Sequence, residues 1–110
     1  MAYDEGLVDR IRGLMPLGLD LTEQRMFGGL AFLIGGHLAI AASGQGGLLV
    51  RVGPERNDEL AQRKGASVAI MRGRPATGWL RVEADAVRTD RQLQSWIDIG
   101  VGQARSLDPK

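Results

Sequence analysis

Leu7, Val8, Ile11, Leu14 and Met15 fall at i, i+1, i+4, i+7 and i+8, forming one apolar stripe at the helical period. Asp4 stands where an N-cap is needed, and Asp4 and Glu5 complement the positive end of a helix. Pro16 and Gly18 stop it, so these signals predict a first helix over residues 4–15. From Thr22 the period changes. The runs Thr22–Phe27, Leu30–Ile34, His37–Ala42 and Leu48–Val52 are too short for independent helices and are divided by glycines, which predicts an antiparallel meander of strands. Gly35-Gly36 suits a two-residue hairpin turn, whose central positions need positive φ, and Ser43–Gly47 suits a longer loop.

Gly53-Pro54-Glu55 opens a second helix over residues 55–64, polar except at Leu60 and Ala61 and closed by Gly65. Ser67–Met71 reads as a fifth strand, Arg72–Thr77 as a loop and Gly78–Glu83 as a sixth strand. Thr89 and Gln92 make a capping-box pattern. Behind it Leu93, Trp96, Ile97, Gly100, Val101 and Ala104 recur every three or four residues, predicting a third helix over about 90–106 in which Gly100 and Ala104 allow a close approach. The order α-β-β-β-β-α-β-β-α predicts an α+β fold. Its central antiparallel sheet has about five or six strands, flanked by the N- and C-terminal helices in one domain over residues 1–110. Strand alternation puts Leu48, Val50, Val52, Leu80 and Val82 on the core side of that sheet, and Leu49, Arg51, Trp79 and Arg81 on the other.

Composition narrows the chemistry. The 110 residues contain no cysteine and a single histidine, which excludes disulfides, thiolate sites and multi-histidine metal sites. Net charge is +1, from 14 basic and 13 acidic residues, so the chain as a whole has no strong pull on nucleic acid or anionic membrane. The acidic N-terminus leads into no apolar signal segment, and glycines break the most apolar stretch, Gly28 to Val52. A cytoplasmic protein without membrane association is expected. Glycine reaches 16 of 110 residues, about twice the usual share of roughly 7%. Yet Gly44-Gln45-Gly46-Gly47 lacks the GK[ST] signature of a phosphate loop and precedes a strand, so the glycines punctuate turns and no cofactor is expected.

Catalytic candidates are few. His37 has glycines and small apolar residues as neighbours, and a role as base would require an orienting carboxylate brought to it by the fold. The carboxylates of the first two helices show no metal-like spacing, so no catalytic and no metal residues are assigned. The cluster with most potential runs from Met71 to Trp79. Arg72 and Arg74 are forked donors matched to carboxylate or phosphate, and Trp79 offers a packing plane. With Arg51 and Arg81 from the sheet face these residues form the candidate partner-binding set.

Four ordered blocks carry a resemblance. They are Met26-Phe27-Gly28-Gly29-Leu30-Ala31-Phe32, Leu49-Val50-Arg51-Val52-Gly53-Pro54, Gly73-Arg74-Pro75 with Gly78-Trp79, and Leu93…Trp96-Ile97 with Ala104-Arg105. From about Tyr3 to Pro109 the chain resembles the N-terminal domain of the TfoX/Sxy proteins, regulators of natural competence that act with a cyclic-AMP receptor protein. The resemblance implies an α+β fold with a central antiparallel sheet, and it brings no catalytic residues with it. The competence regulators carry a second, helical domain, whereas this chain ends at Lys110 and is expected to be a single-domain member. The expected function is a non-enzymatic, regulatory protein-interaction module acting through the Arg/Trp face or the 72–79 loop. The alternative is a weak nucleic-acid binder in which Arg25, Arg51, Arg72, Arg74 and Arg81 converge on one side; an enzyme using His37 is a distant third. Homodimerisation through the sheet is a further expectation.

Overall fold

The computed structural model describes residues 3–26 and 28–109. Helix α1 (Glu5–Leu14) leads into strands β1 (Leu21–Met26), β2 (Gly29–Ile34), β3 (His37–Ala42) and β4 (Leu48–Arg51). A 3₁₀ turn (Pro54–Arg56) and the single-turn helix α2 (Asn57–Leu60) follow. Strands β5 (Ala66–Met71) and β6 (Arg74–Val82), a 3₁₀ turn (Ala84–Val87) and helix α3 (Asp90–Arg105) complete the fold. All six strands form one antiparallel sheet in the order β1-β2-β3-β4-β6-β5. This is the α+β architecture expected from the element order.

Local signals account for the helix ends. The Asp4 carboxylate accepts the Leu7 amide hydrogen at 3.2 Å, satisfying one of the donors a helix start leaves unpaired. Thr89 and Gln92 form the full capping box, with reciprocal bonds of 3.0 and 3.1 Å. The second helix is shorter than its expected span of 55–64. Only Asn57 and Leu60 are buried there, and one apolar anchor per turn does not offset the entropy of fixing a longer helix.

The segment read as a loop over Arg72–Thr77 is corrected. Arg72-Gly73 is a two-residue hairpin turn with φ of 53° and 77°, and β6 begins at Arg74, paired with Met71. Pro75 is tolerated there because β4 pairs only with the Trp79–Val82 end of β6. Between Leu80, opposite Val68, and Pro75, opposite Ile70, the register slips, so β6 bulges outward around Gly78. The expected strand Thr22–Phe27 is observed to Met26; Phe27 lies outside the described residues.

Both long helices lie on one face of the sheet. Leu7, Val8 and Ile11 of α1 and Leu93, Trp96, Ile97 and Val101 of α3 pack with Phe32, Ile40, Leu48, Val50, Leu80 and Val82 as the main core. The opposite face holds a smaller buried cluster of Ala31, Leu33, Leu38, Ala41, Leu49 and Ala69. No helix covers it. Half of that cluster is alanine, and the longer Met26, Met71 and Trp79 pack against it from the same face.

Candidate interaction surface

The β4–β6 register sets Leu49 opposite Arg81 and Arg51 opposite Trp79, all on the face away from the helices. Arg51 stacks on Trp79, its Cζ 5.2 Å from the ring centroid, within range of a cation–π attraction. Arg81 is held differently. One Nη1–H donates to Ser43 Oγ at 3.1 Å and one Nη2–H to the Gly46 carbonyl at 3.2 Å, fastening the 43–47 loop to the sheet. Ser43 Oγ also accepts the Gln45 amide hydrogen at 3.1 Å, a local turn that shapes this loop.

Arg72 sits at the β5–β6 turn, and Arg74 opens β6 across from Met71. Both are exposed. Arg72 and Arg81 line one pocket of about 610 Å³, whose remaining walls include Ser43, Leu49, Ala69 and Met71. Of the five candidates, then, Arg51, Trp79 and Arg81 share the sheet face, Arg72 reaches the same pocket as Arg81, and Arg74 stands at the adjacent edge. Arg25 does not join them. It pairs with Leu30, a main-core residue, and so belongs to the helix side of the sheet. The five-arginine convergence expected of a nucleic-acid binder is therefore corrected to a smaller group without Arg25.

The charge of this face is one-sided. Among the described residues the ion pairs are Arg10–Asp90, Arg12–Asp9, Arg12–Glu23, Arg56–Glu59 and Arg88–Asp85. None involves Arg51, Arg72, Arg74 or Arg81. Elsewhere the pairs act as expected: Arg12 holds the Glu23 carboxyl below its ordinary value, chiefly through their hydrogen bonds, and Arg56 does the same to Glu59.

His37 stands apart from this surface. Its Nε2–H donates to the main-chain carbonyl of Asp108 at 2.6 Å, while Nδ1 is buried and has no partner among the described residues. That geometry ties down the C-terminal segment and gives the ring no orienting carboxylate among the described residues. No group of three or more histidine or carboxylate side chains among them could hold a metal ion, and no helix among them is long and apolar enough to cross a membrane.

Asn57 and Ser43 also shape this surface, though no motif in the sequence marks them. Asn57 is buried and accepts the Gly78 amide hydrogen at 2.8 Å, beside Trp79. A lone asparagine on a polar helix carries no signal of that bond. Ser43 could have been found, since it opens the glycine-rich loop that leads into β4, the strand whose outward face carries Leu49 opposite Arg81.

These features define a small α+β domain with one helix-covered sheet face and one basic face. The profile of the TfoX N-terminal domain matches residues 13–104, and the chain belongs to that family. No curated protein and no solved structure matches it significantly.

Proposed function

We propose that this domain is a non-enzymatic, regulatory interaction module that docks an acidic protein partner on the face bearing Arg51, Trp79 and Arg81, with Arg72 and Arg74 at its edge. One observation carries the reading: arginines gathered on the helix-free face have no carboxylate partner among the described residues, while ion pairs form elsewhere on the molecule. Arginine and tryptophan on a preformed strand scaffold supply planar, low-entropy contacts of the type that dominate protein interfaces. Self-association through this face would set arginine against arginine across a two-fold axis, so the charge favours an unlike, acidic partner.

The test is a quantitative pull-down with wild type, Arg74→Ala and Trp79→Ala, with Arg105→Ala on α3 as control. Loss of an acidic partner from the first two variants alone, with retention weakening as salt rises, supports the reading. Equal capture of every partner by all variants overturns it. Duplex DNA is titrated alongside. Binding that falls with salt at a log–log slope near −0.9 per phosphate contacted would assign the face to nucleic acid instead.

A further inference from the structure

We propose that the pocket beneath the 43–47 loop binds a small organic acid, with its carboxylate on Arg72 and Arg81 and its apolar body on Leu49, Ala69 and Met71. The inference rests on the pocket alone and stands whether or not the surrounding face docks a protein.

The volume of about 610 Å³ lies within the range of small-molecule sites, roughly 300–1,000 Å³. Its lining combines the apolar Leu49, Ala69, Ile70 and Met71 with the polar Ser43, Gln45, Arg72 and Arg81. Arg81 is fixed in place by Ser43 Oγ and the Gly46 carbonyl, which together take two of its five N–H donors and leave the others for a ligand. Ser43 accepts two hydrogen bonds through Oγ and keeps its own O–H as a donor. Arg72 faces the same space from a turn position where φ is 53°. Such a backbone favours glycine or asparagine. Neither arginine forms an ion pair with a carboxylate among the described residues. Two arginines without a carboxylate partner among the described residues, in a pocket shared with Leu49, Ala69 and Met71, match a ligand with an anionic head and an apolar body. Inorganic phosphate would satisfy the arginines and leave Leu49, Ala69 and Met71 uncovered.

Octanoate is the probe. Titration into the folded protein, followed by methyl NMR and calorimetry, is expected to shift Leu49, Ala69 and Met71 and to leave Leu93 and Ile97, on the helix side, unmoved. Octanol and inorganic phosphate are expected to bind at least about tenfold more weakly, each lacking half of the match. Arg72→Gly is the decisive variant, because glycine suits φ of 53° and the turn keeps its shape. It should keep or raise the melting temperature while weakening octanoate by about tenfold. Arg81→Gln should weaken it further. Absence of shifts at those methyls in millimolar octanoate overturns the proposal, as does unchanged affinity in Arg72→Gly. Octanol binding as tightly as octanoate would remove the carboxylate from the assignment, and phosphate binding as tightly would remove the apolar contacts.

Discussion

The Asn57 side-chain oxygen accepts the Gly78 amide hydrogen at 2.8 Å, joining the one-turn helix α2 to the bulge of β6. The Gly78 carbonyl in turn accepts the amides of Val52 and Gly53 at 2.8 and 3.1 Å. Gly78 has φ of 92°, and a Cβ there would press on the Gly53–Pro54 backbone. The bulge is thus pinned from both sides, and Trp79, the next residue, is presented to Arg51 as a consequence. Asn57→Ala removes the acceptor and leaves a buried N–H unpaired, which costs about 1–3 kcal/mol. Urea unfolding of wild type and variant measures it. A midpoint unchanged by the substitution would mean that the bond contributes nothing to holding the bulge.

Gly100 and Gly102 lie two residues apart on α3 and predict opposite outcomes. A Cβ on Gly100 would run into the Ala39 carbonyl oxygen of β3, whereas one on Gly102 would meet nothing within 4 Å. In a helix interior, replacing glycine by alanine is favourable by about 1 kcal/mol where space allows. Gly102→Ala should therefore raise stability by up to that amount. Gly100→Ala should lower it by about 1–3 kcal/mol, since the helix must lift from the sheet and loosen the core. Thermal unfolding of the pair separates the two effects, and a stabilised Gly100→Ala would refute the close approach.

Much of this was legible because the signals were local. Alternation along residues 48–52 and 79–82 assigned both sheet faces correctly, and the capping box at Thr89 and Gln92 forms as its spacing implies. What stayed hidden depends on partners far apart in sequence. Glycine and proline between residues 72 and 78 read as loop, yet β6 runs through them because Pro75 lies beyond the reach of β4. The insertion of β6 between β4 and β5 has no sequence signature. For the site, residue types and strand parity found Arg51, Trp79 and Arg81, but only the folded chain separates Arg25 from them and brings Ser43 beneath Arg81.

The bidentate pair between Arg12 of α1 and Glu23 of β1 predicts an acid-sensitive share of stability. Its bonds measure 2.7 and 2.8 Å, and Arg12 holds the Glu23 carboxyl below its ordinary value of 4.5. A carboxyl whose value is lower folded than unfolded stabilises the fold above the unfolded value, and that contribution disappears as pH falls through the folded one. The wild type should accordingly lose more stability than Glu23→Gln between about pH 5 and pH 3. The difference should be modest and shrink with added salt, because the Arg12 side chain is half exposed. Parallel denaturation curves for the two proteins across that interval would show that the pair is energetically silent.

His37 predicts a local effect rather than a catalytic one. Its Nε2–H bond to the Asp108 carbonyl anchors a segment that also lays Pro109 beside Gly35 at the β2–β3 turn. Deleting one such bond costs about 0.5–1.5 kcal/mol, and in a segment outside the helices and strands that cost falls on local opening rather than on global unfolding. His37→Ala should therefore speed amide exchange at Leu107 by up to about tenfold and leave the interior of α3 as protected as in the wild type. His37→Gln, whose side-chain amide can still donate, should restore part of the protection. Native-state hydrogen exchange resolves the three proteins residue by residue. Equal exchange at Leu107 in all of them would show that the C-terminal segment is held by packing against the turn, without help from the imidazole.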